Sequence, residues 1–199
     1  MTEFRKKFTK EYLMEINGLL DSIEGVLIDK IDKLASILIR ARQNKNTIFI
    51  MGNGGSAATA SHFAIDLSKL TIVRDFPRFK VIALTDSIPS ILAWANDVGY
   101  EEIFVEQLKN LMENGDVVIG ISGSGNSLNV IKAIEYANSH GGLTIGLVGY
   151  DGGKLLNCAH ENIHVQSYNM QRVEDIHLLI VHLLTSLIKE EHNTKMGGT

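Results

Sequence analysis

The chain has 199 residues, of which 45% are hydrophobic and 21% charged, a balance typical of a globular domain and not of a disordered protein. Its formal net charge of −4 argues against a nucleic-acid-binding protein, because phosphate contacts need a clustered positive surface. The single cysteine, Cys158, excludes an internal disulfide framework and fits a reducing compartment, so we expect a cytoplasmic protein. No run of about 18 apolar residues is present, which argues against a membrane partner.

The predicted elements begin with helices and then alternate. Residues 9–43 carry apolar side chains at the three- and four-residue spacing of amphipathic helices, with an interruption near Gly25. We therefore predict two N-terminal helices, which form a helical appendage over residues 1–45 used in oligomer contacts. From residue 47 onward, strand and helix patterns alternate as in βαβ units. The predicted strands are 47–51, 80–84, 116–121, 143–148 and 162–165, and the predicted helices are 56–70, 88–96, 100–113, 126–139, 152–158 and 171–191.

This order of elements predicts an α/β fold with a doubly wound, mainly parallel five-stranded sheet flanked by helices. The strands are almost continuously apolar, which is typical of strands that are buried on both faces. A long C-terminal helix follows the sheet. We expect residues 46–192 to form a single structural domain and residues 193–199 to form a frayed tail.

The 18 glycines, against only two prolines, are concentrated in turns that follow predicted strands. The first cluster, residues 52–56, reads GNGGS and stands before a helix, where free backbone N–H groups bind anions. Together with Ala57, the string also fits the dinucleotide fingerprint G-x-G-x-x-A. However, Asp86, the acid at the end of the next strand, lies 34 residues after Gly52 instead of about 20. A nicotinamide-linked oxidoreductase is therefore the weaker interpretation, and a tight turn without a ligand is a further alternative.

The second cluster adds hydroxyl groups to the same kind of turn. Ser122, Ser124 and Ser127 alternate with glycines and stand before a helix that opens at Leu128, where hydroxyls and backbone amides can both donate to phosphate oxygens. One such serine would be an ordinary N-cap, but three suggest a ligand site. The third cluster, residues 149–154, fits an ordinary turn, and we assign it no chemistry. The first two loops predict a phosphorylated small molecule, held by the second loop and faced by the first.

In this order and spacing, the motifs resemble the sugar isomerase (SIS) family, specifically the phosphoheptose isomerases. The resemblance covers nearly the whole chain and depends on residues 52–58, 62–64, 96–97, 121–127, 149–153 and 172–182. It implies that residues 46–192 are a SIS phosphosugar-binding domain. It also implies a homotetramer, with sites near subunit interfaces, that converts sedoheptulose 7-phosphate to D-glycero-D-manno-heptose 7-phosphate through an enediol(ate), for heptose-containing surface polysaccharides.

The resemblance also assigns site residues. It implies one zinc ion per subunit and an acid/base pair formed by Asp66 and His182, while His177 on the same helix has at most a minor role. The metal ligands that it implies are His62, Asp66, Glu174 and His182. The substrate-binding residues that it implies are Asn53, Gly54, Gly55, Ser56, Asp97, Ser122, Gly123, Ser124, Ser127 and Glu174.

The sequence departs from the family pattern at the predicted site. Asp66 replaces a Glu, Glu174 replaces a Gln, and Gly123 stands where relatives often have Thr. An acidic residue of the family is Gln171 here. In a regular helix, Glu174 and His182 lie about 12 Å apart along the axis, so both reach one ion only if Glu174 extends from the first turn or if the site crosses subunits.

A non-catalytic interpretation remains open. Some relatives that this chain resembles bind phosphosugars or associate with the bacterial replication initiator as scaffolds, and they tend to lose the zinc-binding residues. Here the corresponding residues are His, Asp, Glu and His, all of them able to bind a metal or exchange protons. Their presence favours the enzyme.

Overall fold

The computed structural model describes residues 2–74 and 76–196, and side chains up to residue 191. A short 3₁₀ helix, Tyr100–Glu102, precedes the helix α4. The elements in chain order are α1 (Glu3–Asn44), β1 (Thr47–Gly52), α2 (Gly55–Lys69), β2 (Lys80–Ala83), α3 (Ile88–Asp97), α4 (Val105–Leu111), β3 (Val117–Ser122), α5 (Leu128–Ser139), β4 (Leu143–Val148), α6 (Gly153–Cys158), β5 (Glu161–His164) and α7 (Met170–Met196).

The five strands form one parallel sheet in the order β2–β1–β3–β4–β5. Strand β1 pairs with β2 on one side, starting at Thr47 and Lys80, and with β3 on the other side, starting at Ile48 and Val117. The strand order therefore reverses between β1 and β3. In open α/β sheets, ligands bind at this switch point, beyond the carboxyl ends of the strands. The predicted doubly wound parallel sheet is confirmed, as is the long C-terminal helix.

Helices cover both faces of the sheet. On one face, α1, α2 and α7 pack around a buried cluster that includes Ile50, Phe63 and Ile180. On the other face, α4, α5 and α6 pack around a second cluster that includes Phe49 and Leu108. Neighbouring residues of β1 thus point to opposite layers, as the two-residue period of a strand requires.

The N-terminal region is a single helix, so the predicted break near Gly25 is wrong. Helix α1 runs for 42 residues, and a Cβ placed on Gly18 or Gly25 would meet no atom within 4 Å. Neither glycine marks a turn or a close approach, and a glycine costs a helix only about 1 kcal/mol without ending it. The buried residues of α1 all lie between Leu27 and Arg42, so its C-terminal half is part of the core.

Two further boundaries differ from the prediction. The helix predicted over 100–113 is divided, because the 3₁₀ turn precedes α4 as a separate element. Helix α7 continues to Met196, past residue 193 where the tail was predicted to begin, and residues 197–199 lie outside the described part of the chain. Within the described residues, none of the helices combines the length and apolarity needed to cross a membrane.

Candidate active site

The loops that follow β1 and β3 enclose a small cavity at the switch point of the sheet. Its volume is about 250 Å³, and the start of α7 completes its wall. All the predicted substrate-binding residues except Asp97 line this one cavity. The lining consists of residues 53–56, residues 121–124, Ser127, Met170 and Glu174.

The serine loop, residues 122–127 after β3, combines hydroxyl groups with the N-terminus of α5. The hydroxyl oxygens of Ser122 and Ser127 are 3.1 Å apart, and Ser127 is the N-cap residue of α5 but makes no side-chain cap hydrogen bond. The hydroxyl of Ser124 accepts a hydrogen bond from the N–H of Asn126, at 3.2 Å, so its own proton can still be donated. These donors lie beside the positive end of the α5 dipole, an arrangement suited to phosphate.

The glycine turn after β4, residues 149–153, holds the serine loop through backbone hydrogen bonds. The N–H of Gly149 donates to the oxygen of Gly123 at 3.0 Å, and the N–H of Leu155 donates to the oxygen of Gly125 at 2.9 Å. Gly125 has a φ of +65°, and a Cβ there would collide with the carbonyl oxygen of Gly152. The third glycine cluster therefore shapes the loop through backbone contacts, which is a structural role.

The first turn of α7 closes the cavity with two side chains. A Cβ on Gly55 would lie 2.5 Å from Oε1 of Glu174, so the carboxylate of Glu174 rests directly on the first glycine loop. A Cβ on Gly123 would collide with the sulfur of Met170. The two glycines thus leave room for α7 to approach both loops.

The side chain of Asn53 is held by neighbours from two other elements. Its Nδ2 donates to Oδ1 of Asn129 at 2.9 Å, and its Oδ1 accepts from Nδ2 of Asn129 at 2.8 Å. The hydroxyl of Tyr100 also donates to Oδ1 of Asn53, at 2.9 Å. This network joins the first glycine loop to α5 and to the 3₁₀ helix.

A second group of site residues is formed by α2 and α7. The Nε2 atoms of His62 and His182 are 3.1 Å apart, and Oδ2 of Asp66 lies 3.4 Å from the first and 4.0 Å from the second. Tetrahedral zinc with bonds of 2.0–2.2 Å separates its ligands by about 3.4 Å. Both imidazoles are about half exposed. The three residues therefore fit a zinc ion and leave a coordination position open to a ligand.

Two predicted residues lie away from the groups to which they were assigned. Glu174 lines the cavity and does not belong to the group of His62, Asp66 and His182 among the residues that the structure describes. Asp97 ends α3, is exposed, and accepts a hydrogen bond from its neighbour Asn96 at 2.7 Å. Within the described part of one chain, His62, Asp66 and His182 form a group without Glu174, and Asp97 does not line the cavity.

His177 is fully buried between these two groups on α7. Its Nε2 donates to the carbonyl oxygen of Val148 at 3.2 Å, and its Nδ1 has no partner among the described residues. Burial lowers the pKa of His177 to about 4, so the ring is neutral near pH 7. It anchors α7 to the end of β4.

Three residues of this site were not found from the sequence. Asn129 and Tyr100 hold Asn53, and Met170 closes the cavity. The available signal for Asn129 was its polarity in the otherwise apolar start of α5, where it is only 2% exposed. Tyr100 and Met170 carry no comparable signal, because their contacts depend on the tertiary structure.

Comparison with known proteins identifies the family. Residues 11–149 match the SIS domain. The phosphoheptose isomerase of Helicobacter hepaticus is 40% identical over 179 residues, covering 89% of this chain and 91% of that protein. The chain belongs to the phosphoheptose isomerase family of SIS-domain proteins.

Solved structures of the family agree with this assignment. The structure of the phosphoheptose isomerase from Neisseria gonorrhoeae superposes with a TM-score of 0.86 at 29% identity, covering 93% of this chain and 98% of that one. A phosphoheptose isomerase from Francisella tularensis gives a TM-score of 0.87 at 28% identity, covering 96% and 100%. The fold is therefore that of the phosphoheptose isomerases, and the chain is an aldose–ketose isomerase.

Proposed function

We propose that this isomerase converts sedoheptulose 7-phosphate to D-glycero-D-manno-heptose 7-phosphate, for the synthesis of heptose-containing surface polysaccharides. The observation that carries the proposal is the pairing of a phosphate-type cavity at the switch point with a separate His/Asp/His group on α2 and α7. The name shared by the relatives supports the choice of substrate.

The cavity and the His/Asp/His group bind opposite ends of the substrate. The serine loop, with Ser122, Ser124 and Ser127, takes the phosphate, and Asn53 and Glu174 lie beside it for the sugar hydroxyls. His182 follows Glu174 by eight residues, or about 12 Å along α7. A seven-carbon chain needs such a separation, because its reacting carbons C1 and C2 are far from the phosphate on C7.

Asp66 and His182 are the proposed acid/base pair. A base removes a proton from C1 while O2 gains one, which gives the enediol; a proton then returns to C2 while O1 loses one, which gives the aldose. A carboxylate suits the transfer at carbon, through the oxygen that would not bind the metal, and an imidazole suits proton exchange at the substrate oxygens, through the nitrogen that would not bind it.

We place one zinc ion per subunit at His62, Asp66 and His182. When bound there, zinc would polarise the substrate oxygens as a Lewis acid. Glu174 would complete this set only in an assembly that brings it from a neighbouring subunit, since within one chain it lines the cavity.

A homotetramer with sites near subunit interfaces fits the exposed apolar surface. Helix α3 has no buried residue, and its Ile88 and Leu92 are more than 60% exposed. A groove of about 600 Å³ beside the edge strand β2 is lined in part by Ile65 and Ile82. We also propose that the enzyme acts in the cytoplasm, where its one cysteine would stay reduced.

The substrate is tested by incubating the purified protein with sedoheptulose 7-phosphate, following the anomeric protons by NMR, and measuring bound zinc in the same sample. We expect conversion to the manno-heptose phosphate and about one zinc per chain. No conversion, with or without added zinc, would contradict the proposal.

The role of His182 is tested by His182→Ala, with His140→Ala as the matched control. His140 is an exposed histidine at the end of α5, outside both groups. We expect kcat to fall by about 100-fold or more in His182→Ala, the usual contribution of an acid/base residue, and to be unchanged in His140→Ala. Turnover unaffected by His182→Ala would leave the isomerase but contradict this role.

A further inference from the structure

The first turn of α5 contains a backbone donor that the helix itself cannot satisfy. The first hydrogen bond within α5 runs from the N–H of Ile131 to the oxygen of Ser127, at 3.0 Å. Among the described residues, the N–H of Val130 therefore has no backbone acceptor. It donates instead to Oδ1 of Asn129, at 2.9 Å. Because a backbone N–H can only donate, this contact fixes which end of the Asn129 carboxamide is the oxygen.

The orientation of Asn129 determines that of Asn53. The contact with Val130 fixes the position of Oδ1 of Asn129. The Asn53 atom that faces this oxygen must therefore be a donor, and it is Nδ2, at 2.9 Å. Nδ2 of Asn129 and the hydroxyl of Tyr100 then both donate to Oδ1 of Asn53, at 2.8 and 2.9 Å. Both lone pairs of that oxygen are occupied.

One hydrogen of Asn53 is left. Its Nδ2 carries two hydrogens, of which one is donated to Asn129 and the other has no partner among the residues that the structure describes. Asn53 lines the cavity together with the serine loop. What Asn53 offers to a ligand is therefore an N–H donor, and the ligand atom that meets it is an oxygen acceptor.

We propose that Asn129 is a positioning residue, which fixes Asn53 as a hydrogen-bond donor to an oxygen of the bound sugar phosphate. Asn129 is buried and does not line the cavity, so it acts through Asn53. The identity of the ligand rests on the proposed function, whereas the fixed orientation of Asn53 belongs to the free protein.

The variant Asn129→Asp tests the relay. It keeps the shape and the oxygen that accepts from Val130, but it cannot donate to Asn53. The loss of one hydrogen bond, about 1 kcal/mol, corresponds to a fall in kcat/KM of about fivefold for sedoheptulose 7-phosphate. In the Asn53→Ala background, Asn129→Asp should cause no further fall. An equal fall in both backgrounds would mean that Asn129 acts elsewhere and would overturn the proposal.

A second variant does not depend on the buried position. Tyr100→Phe removes only the hydroxyl of an exposed side chain, so the fold is kept. In ¹⁵N-labelled protein without substrate, the side-chain amide signal of Asn53, identified by its loss in Asn53→Ala, should shift in Tyr100→Phe and in Asn129→Asp. A signal unchanged in either variant would overturn the fixed orientation. If the wild-type protein does not turn over the substrate, the proposed function fails, and the NMR result still decides the relay.

Discussion

At the scale of single residues, the site depends on where a side chain is missing. Gly55 has an ordinary backbone conformation but lies under the carboxylate of Glu174, whereas Gly125 is needed for its positive φ and its contact with the backbone of Gly152. Gly55 leaves room for a side chain that lines the cavity, whereas Gly125 allows the backbone conformation of the serine loop. The two therefore predict different consequences for the same substitution.

Gly55→Ala should damage activity more than stability. The new Cβ would lie 2.5 Å from Oε1 of Glu174, a flexible group that can move away, so we expect a loss of stability below about 1 kcal/mol. Moving this carboxylate by about 1 Å should lower kcat/KM by about tenfold to 100-fold. Steady-state kinetics and urea unfolding on the same variant check both values, and normal kinetics would show that the place of Glu174 is not important.

Gly125→Ala is the matched comparison. A residue with a Cβ is strained at a φ of +65°, and this Cβ also meets a backbone oxygen that cannot move away. We expect a loss of at least about 2 kcal/mol in the free energy of unfolding. A fully stable Gly125→Ala would contradict the described path of the serine loop.

His177 should make stability depend on pH. Its pKa is lowered from 6.5 to about 4 in the folded protein by burial, so between these values the unfolded chain binds a proton that the folded one does not. The stabilisation is complete above about pH 6.5 and is lost by about 1.4 kcal/mol per pH unit as the pH falls toward 4. Urea unfolding at several pH values should show this slope reduced in His177→Leu, and equal slopes would contradict the assignment.

The position of a residue in the site could be predicted from the sequence only where the residue belongs to a recognisable motif. The serines and glycines of the two loops follow strands directly, so their meeting in one cavity follows from the parallel sheet. The place of Glu174 does not follow, because it depends on how closely α7 approaches Gly55. Asn129 illustrates the same limit, since its partner Asn53 lies 76 residues earlier in the chain.

At the scale of elements, the strands follow from their apolar runs, and the helix boundaries follow less well. The five predicted strands are all present, with small differences at their ends. The N-terminal prediction failed because a glycine was given the weight of a helix break. Two sets of contacts stabilise one continuous helix. The C-terminal half of α1 is buried, and its N-terminal half contacts α7, where the guanidinium carbon of Arg172 lies 3.2 Å from the centroid of the Tyr12 ring.

Gly25→Ala tests the continuous helix. Gly25 lies within α1 with free space where a Cβ would stand, so alanine should increase the free energy of unfolding by about 0.5–1 kcal/mol. At a true break with positive φ, the same change would destabilise the protein. A urea midpoint that falls in Gly25→Ala would therefore contradict the single helix.

At the scale of the whole molecule, the sheet brings the first two glycine loops together, and α7 connects them to the His/Asp/His group. The same helix contributes Glu174 to the cavity, His177 to the core and His182 to the His/Asp/His group. The cavity and the His/Asp/His group are thus joined by one helix, along which we propose that phosphate binding and proton transfer are arranged. The sequence alone left open whether Glu174 and His182 act at one point, and the structure separates them within a chain.

Isomerisation in deuterated water tests the central claim most directly. The purified protein is incubated with sedoheptulose 7-phosphate in D₂O, and the product is observed by ¹H and ¹³C NMR. If a residue that exchanges protons with solvent carries the proton between C1 and C2, the manno-heptose 7-phosphate forms with deuterium at C2. Substrate that stays unconverted, with or without added zinc, would contradict the account.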